Sequence, residues 1–421
     1  MEWTGRCRRG ARGSDVRFGD GGSGRVNGHP SGPVRLGIVG VGALTLRALL
    51  PHLCEDDLEG VVSVGALCDP VPGRAREAAA KHGVARHYET IEDLVADEEI
   101  DAVTIASPIG LHAQQGRIAL QGGKHVHFNK TMSTRVAEAD ELIELAERAG
   151  LCIVASPGEI LRPQLTRTRE LIAEGAIGKL SWAICGCAFG RYHEQEEPER
   201  LGSSKSPIDP TWYFKRPGGG PLYDMTAYAL HGLTSVLGPA RRVTALSGLV
   251  VPTREFAGRT IEAEMDDNTV ALLDFGNGAF AVATGTAGGT IIDDFAAACF
   301  FGTEGEIRGL LLNGEPFDFP GRELTTGAPS SDWDVQMRVL PHVTGRHREI
   351  PEAHVFEDIM QLVDWVRDGR ASPVTAGHAR HVIDIIESTY RSAETGSTEQ
   401  LTTSFDWEAL PAPGARGSRE P

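Results

Sequence analysis

The sequence predicts two folded units: an α/β domain built on a doubly wound parallel sheet, then an α+β domain with an open, mostly antiparallel sheet. Three observations predict this. An apolar strand, a glycine turn and a helix-spaced stretch follow one another from residue 34. Strand-like and helix-like segments then alternate as far as residue 155, and beyond it the alternation gives way to long strand-like arms. A chain of 421 residues is long for one domain, and each of two can bury a core of its own. The expected divisions are 1–33, an Arg/Gly-rich tail; 34–155; 156–402; and 403–421, a second loose tail.

Composition excludes some functions. Lys plus Arg is 41 against 58 Asp plus Glu, a net charge of -17, which argues against nucleic acid and anionic membrane as partners. No apolar run is long enough to span a bilayer. The seven cysteines are scattered and odd in number; they do not read as a disulfide framework and fit a reducing, cytoplasmic setting. Cys185 and Cys187 share one face of a strand without a second pair, so no metal site is expected. The first 33 residues hold six arginines and nine glycines with little apolar pattern, a composition that reads as disorder. Their Arg8-Arg9 pair is not followed by the apolar region of an export signal.

The first strand, "VRLGIV", runs into the turn Gly40-Val41-Gly42-Ala43-Leu44-Thr45. This is G-x-G-x-x-G with threonine in the third place. Glycines at such a turn let backbone approach a pyrophosphate, and the helix start supplies N–H groups and the positive end of its dipole. Gly40, Gly42, Ala43 and Leu44 are therefore candidate dinucleotide-binding positions. The second strand, "VVSVGALCD", ends in Asp69, where a carboxylate would hold the adenosine ribose hydroxyls of NAD. Asp69 also suits the start of the turn "DPVPG". Arg74, close downstream, can meet a 2′-phosphate, so NADP stays possible. A helix ("GRAREAAAKHG"), a short strand near "ARHYE" and a helix opened by Thr90 with Asp93 three residues on follow, the last a capping-box variant. Then come the strand "DAVTIASP", the helix "GLHAQQGRIALQGG" and the strand "KHVHFNK". Strands wound by right-handed crossovers form a parallel sheet whose ligands lie beyond the carboxyl ends. Ser107, Pro108 and Lys130 stand at such ends. Lys130 either faces the nicotinamide half of a cofactor or simply marks where a strand reaches water. The helix "STRVAEADELIELAERAG" and the strand "LCIVASP" complete this unit.

In the second unit the arms "KLSWAICGCAFG", "RRVTALSGLVV", "NTVALLDFGNGAFAVATGTAGG" and "FAAACFFGTEGEIRGLL" read as neighbouring strands, with an Asn-Gly hairpin inside "DFGNGAF". Three glycines, 218 to 220, deliver the chain into a helix on which Asp224, Tyr228 and His231 stand at i, i+4 and i+7, on one face. Converging carboxylate, phenol and imidazole groups can build an acid/base site. The competing reading makes Tyr228 a core residue with a satisfied hydroxyl and His231 a buried structural histidine. The loop "GRYHEQEEPERLGSSKSP" is long and polar, as loops that set specificity are.

From about residue 34 to 402 the chain resembles the glucose-fructose oxidoreductase, inositol dehydrogenase and rhizopine catabolism (Gfo/Idh/MocA) family. The resemblance rests on "GIVGVGALT", "IASPIGLH", "GGKHVHFNKTM", "LIAEGAIGKL", "GGGPLYDMTAYALH", "FGTEGEIRG" and "PVTAGHARHVIDIIESTYRSAETG", in that order. It implies a Rossmann domain and a substrate domain that assemble as dimers or tetramers through their open sheets. It also implies NAD(P)-dependent hydride transfer to or from a secondary hydroxyl of a small carbohydrate-like substrate: a sugar, sugar acid, cyclitol or glycoside. The family's Glu-Lys-Pro motif falls on Asn129, Lys130 and Thr131, so only the lysine is kept. Its Asp-x-Gly-x-His motif falls on Asp224, Thr226 and Tyr228. By this resemblance Lys130 orients the reacting oxygen, Tyr228 takes or gives its proton, Asp224 anchors a substrate hydroxyl or holds Lys130, and His231 backs them up. His112 and Asn129 join the cofactor-binding set. Arg162, Arg191, His193, Trp212 and Tyr213 are candidate pocket walls, since sugar rings pack on aromatic faces and their hydroxyls need donors. Without the carboxylate at 129, Lys130 is expected to have a lowered pKa. Two other readings stay open: a glycosidase that recycles NAD in place, and a sensor that binds cofactor without chemistry.

Overall fold

The computed structural model describes residues 32–407 apart from 189, 192, 195–201, 204–205, 290–297 and 327–332. The tail 1–31, most of the specificity loop and residues 408–421 lie outside the described residues. Strand β1, Val34–Val39, is buried on both faces, as a central strand of a parallel sheet must be. With β2 (Val62–Cys68), β3 (Arg86–Tyr88), β4 (Ala102–Ile105), β5 (His125–Phe128) and β6 (Ile153–Ala155) it forms a six-stranded sheet in the order β3-β2-β1-β4-β5-β6. All five pairings are parallel. The winding reverses between β1 and β4, and a cleft opens beyond the strand ends at such a switch point.

After the glycine turn the chain enters a π-helical turn, Thr45–Leu49, that runs directly into α1, Leu50–Leu53. The crossover helices are α2 (Arg74–His82), α3 (Ile91–Ala96), α4 (His112–Gln121) and α5 (Val136–Ala149). At the start of α3 the Thr90 hydroxyl accepts the Asp93 N–H at 3.2 Å, the capping bond that its spacing predicts.

Among the described residues the second sheet has β7 (Leu180–Ala188), β8 (Arg242–Gly248), β9 (Asn268–Gly276), β10 (Ala279–Thr286), β11 (Cys299–Gly302), β12 (Glu306–Arg308), β13 (Leu311–Leu312), β14 (Glu315–Pro316) and β15 (Glu399–Gln400). Their order is β14-β13-β12-β11-β7-β10-β9-β8-β15. The pairings are antiparallel except β7 with β10, which is parallel. Asn277 and Gly278 turn β9 into β10 with φ of 54° and 81°, the left-handed pair that a tight hairpin needs. The arm expected from "FAAACFFGTEGEIRGLL" is not one strand. It breaks into β11, β12 and the start of β13, because its Glu-Gly dipeptide at 304–305 and its Gly309 make turns; residues 295–297 lie outside the described residues.

One face of this sheet packs against α7 (Ala227–Leu237) and α9 (Ala376–Thr395), burying Leu230, Leu233, Val243, Leu273, Val382 and Ile386 together. Helix α6, Pro163–Ala173, packs beside α7, and α8, Ala353–Asp368, returns to the first sheet, where Phe356 and Ile359 share a core with Leu36 and Ile38. Five cysteines, Cys68, Cys152, Cys185, Cys187 and Cys299, are free thiols. Cys54, at the end of α1, is disulfide-bonded, contrary to the expectation of thiols throughout. No described helix is long and apolar enough to cross a membrane.

Candidate active site

The glycine turn is built by two different demands. A Cβ at Gly40, whose φ is +93°, would stand 2.7 Å from the backbone of Ala106, so only glycine lets β1 and β4 end side by side. A Cβ at Gly42 would meet nothing within 4 Å; this glycine faces open space. Thr45, in the third glycine's place, is buried and donates its hydroxyl to the Gly40 carbonyl at 2.6 Å. Asp69 lies at the end of β2 and accepts the N–H of Val41 at 2.8 Å and of Val71 at 2.9 Å. Arg74 is paired with it at 3.2 Å. The turn, Asp69 and Arg74 are therefore one assembly.

Beyond β4 and β5 the sequence-predicted residues come together. Ser107 donates to Gln115 at 2.5 Å, and Pro108 caps the short 3₁₀ turn Ile109–Leu111. His112 has its Nδ1 2.7 Å from the Thr131 carbonyl and its Nε2 2.8 Å from that of Ser107. Its ring thus ties the two strand ends together, a positioning role rather than the cofactor contact expected of it. The Asn129 side chain accepts the Lys130 N–H at 2.9 Å, and the Lys130–Thr131 peptide bond is cis.

The helix bearing Asp224 and Tyr228 begins with a π-helical turn, Leu222–Thr226, before α7. Asp224 Oδ1 lies 3.4 Å from Lys130 Nζ, and the ammonium sits over the Tyr228 ring, 5.1 Å from its centroid. Lys130, Asp224 and Tyr228 converge as expected, but the electrostatics differ from expectation. Burial would lower the Lys130 pKa, yet the Tyr228 hydroxyl, Asp224 and Glu352 outweigh it and hold the ammonium above its ordinary value. Asp224 replaces the carboxylate missing at 129. Burial raises the Tyr228 phenol above its ordinary value although Lys130 pulls the other way. At neutral pH the pair is an ammonium beside a neutral phenol.

His231 does not join them. It is buried against His378, ring centroids 4.6 Å apart, and burial pushes its pKa down to about 3. One helical turn past Tyr228, α7 has already entered the core beneath the second sheet, so the structural reading of His231 holds. His193, by contrast, reaches in: its Nε2 is 3.8 Å from Asp224 Oδ2 and its ring packs on Tyr213 at 4.3 Å. Tyr213 is buried and touches Trp212 edge-on at 6.0 Å. Arg162 is buried and paired with Glu159 at 2.6 Å. Arg191 is exposed and paired with Glu194 at 2.5 Å, a surface ion pair rather than a pocket wall.

Three residues near the site carried no sequence signal. The Tyr228 hydroxyl is 3.0 Å from His354 Nε2, Glu352 Oε2 is 3.7 Å from the same nitrogen, and Arg47 pairs with Glu352. His354 lies 126 residues beyond Tyr228, at the start of α8. Only tertiary packing brings it there, and its segment reads as an ordinary helix start.

A family profile described as "Oxidoreductase family, NAD-binding Rossmann fold" matches residues 34–156, and one for the GFO/IDH/MocA C-terminal domain matches residues 165–308. The chain is 29% identical to D-xylose dehydrogenase of Paenarthrobacter nicotinovorans over 48% of its own length and 50% of that protein's. It spans about half the length of the first curated relatives it matches. It is 23% identical to myo-inositol 2-dehydrogenase of Thermotoga maritima over 81% of this chain and 91% of that one. Among solved structures, the WlbA dehydrogenase of Bordetella pertussis, in complex with NADH and UDP-GlcNAcA, shares the fold with a TM-score of 0.65 at 18% identity, covering 88% of this chain and 100% of that one. With the glycine turn, the strand-end lysine and both profiles in register, the chain belongs to the Gfo/Idh/MocA family of oxidoreductases.

Proposed function

We propose that the chain is an NAD(P)-dependent oxidoreductase that moves hydride between nicotinamide and a secondary hydroxyl or ketone of a sugar, sugar acid, cyclitol or glycoside. One observation carries the reading: a largely buried ammonium, a carboxylate and a phenol, Lys130, Asp224 and Tyr228, meet at the carboxyl end of β5, beside the switch point where a dinucleotide lies. The open space over Gly42 fits the group. Gly40, Gly42, Ala43 and Leu44 would cradle its pyrophosphate, Asp69 would face the adenosine ribose, and Ser107, Pro108 and Asn129 would border the nicotinamide. NAD is the cofactor proposed, because the carboxylate of Asp69 repels a 2′-phosphate and Arg74 is already engaged with it.

When bound, the nicotinamide supplies the hydride acceptor or donor. The chain's own residues do the rest. Lys130 donates to the reacting oxygen and disperses the charge that grows on it. Tyr228 exchanges the hydroxyl proton. Asp224 keeps Lys130 charged and aimed, and His193, Tyr213 and Trp212 give the sugar an aromatic wall with a polar edge. Apolar side chains exposed on the outer face of the second sheet, Trp182, Ile184, Val270, Leu272 and Phe280, support assembly as a homodimer or homotetramer through that face.

The test is to follow absorbance of reduced nicotinamide with NAD and then NADP across free sugars, cyclitols, sugar acids and aryl glycosides, scoring aglycone release in parallel. Reduced cofactor formed from an unglycosylated polyol supports the dehydrogenase. Aglycone release without net reduction, or tight NAD binding without turnover, refutes it.

A further inference from the structure

Tyr228 is a poor base as it stands, because burial holds its proton on. Its hydroxyl points at a second buried group. His354 Nε2 lies 3.0 Å from it, and the two rings meet edge-on with centroids 5.3 Å apart. Glu352 Oε2 is 3.7 Å from the same nitrogen, beyond a direct hydrogen bond but close enough to stabilise a cation there. Glu352 takes a left-handed backbone, φ 59°, at the start of α8, a conformation that a non-glycine residue keeps only where its surroundings enforce it. Its carboxylate is bound by Arg47 from the π-helical turn after the glycine loop, and its side chain is 23% exposed. The buried phenol and a carboxylate at the solvent edge thus both approach one nitrogen of a buried imidazole.

We infer that His354 is the proton acceptor and donor for Tyr228, and that Glu352, held by Arg47, positions and stabilises it. The inference rests on the proposed oxidoreductase reading. In the oxidative direction the substrate's O–H proton passes to Tyr228 Oη while the phenol's own proton passes to His354 Nε2. The substrate C–H bond breaks with its electron pair going to oxidised nicotinamide, and the C=O bond forms. The net change is one hydride to the cofactor and one proton to His354, which becomes an imidazolium facing Glu352. Reduction reverses each move. Tyr228 therefore stays uncharged at both ends of the reaction, so its raised pKa does not impede it. Besides Tyr228, the charged and titratable groups that face His354 are Glu352, Lys130, Arg162 and Arg47. Burial and the three cations keep it neutral, down to a pKa of about 4, against the pull of Glu352. A neutral imidazole is what a proton acceptor at neutral pH requires.

Two measurements test this. The first uses the full chain without nicotinamide. Nitrogen NMR of histidine-labelled wild type, with His354→Gln to assign the signal, is expected to show His354 Nε2 as an unprotonated imine nitrogen at neutral pH. Its shift should change in Tyr228→Phe, and its protonation midpoint should fall in Glu352→Gln. A proton resident on Nε2 at neutral pH, or a midpoint indifferent to Glu352→Gln, overturns the inference. The second is the pH profile of kcat/KM. His354→Gln is expected to lose about a hundred-fold at neutral pH and to regain about ten-fold per pH unit as the phenol is forced to lose its proton to water. A loss of the same size at every pH marks a merely structural role and overturns it. If wild type turns over no substrate, the oxidoreductase reading has failed and the NMR result alone decides the Tyr228–His354 assignment.

Discussion

At the scale of single residues, Gly40 and Gly42 do separate jobs that one motif conceals. Gly40→Ala puts a Cβ 2.7 Å from the Ala106 backbone at φ +93°. It is expected to destabilise the first domain by about 1–3 kcal/mol or more, read as a lower denaturation midpoint. Gly42→Val is expected to leave that midpoint in place and weaken NAD binding at least ten-fold by filling the open space over the turn, read by calorimetric titration. Equal loss of stability in both would contradict the division. Both glycines, Lys130, Asp224 and Tyr228 were legible in the sequence because each stands in a local pattern, a turn spacing, a strand end or a helix face. That Asp224 holds Lys130 was one of the two roles the resemblance implied for it, but the acceptor beyond Tyr228 carried no sequence signal. Whether Lys130 keeps a carboxylate neighbour depends on how α7 docks against β5, and His354 reaches Tyr228 from another element 126 residues away. Local patterns carry no record of such contacts.

At the scale of elements, helical spacing predicts one face for Asp224, Tyr228 and His231, but Asp224 stands in a π-helical turn ahead of α7 and the stripe does not stay in one environment. Asp224 and Tyr228 meet Lys130, whereas His231 is packed in the core against His378. Alternation of strand and helix predicted the parallel sheet, whereas the arm ending at the start of β13 looks continuous in the sequence because Gly305 and Gly309 read as strand interior rather than as turns. The outer face of the second sheet yields its own prediction. Leu272 is 53% and Phe280 48% exposed on neighbouring strands, diagonal to each other and two residues apart in register, with no described element over them. Leu272→Glu combined with Phe280→Glu is expected to convert an oligomer to monomers in light scattering without lowering the melting temperature. A wild type that is already monomeric would contradict the assembly.

At the scale of the whole molecule, buried titratable groups set how stability depends on pH. Burial holds His52, His127 and His231 near a pKa of about 3 and His354 and His381 near about 4. Their folded values lie below the unfolded one, so their contribution is complete above about pH 6.5 and is lost as pH falls toward 3 to 4, each adding up to about 1.4 kcal/mol per unit. Asp358 has the opposite sign. Burial pushes it up to about 8 against the pull of the Ser156 hydroxyl bond of 2.5 Å, and its contribution is lost as pH rises from about 4 through 8. His82, lowered by burial to about 4, joins the histidines, and His342, raised to about 10 because its bonds to Asp364 and Glu357 outweigh burial, joins Asp358; six groups against two predict a steep fall in melting temperature below about pH 6 and a shallower one above about pH 6.5. A symmetric profile would contradict the burial of these histidines. The claim on which the rest depends is that Lys130 and Tyr228 do the chemistry beside a bound nicotinamide. It is tested most directly by comparing initial rates of cofactor reduction for wild type, Lys130→Ala and Tyr228→Phe on the same polyol, with NAD affinity measured alongside. Losses of about a hundred-fold or more are expected in each variant with NAD binding retained. Full turnover in both variants would contradict it.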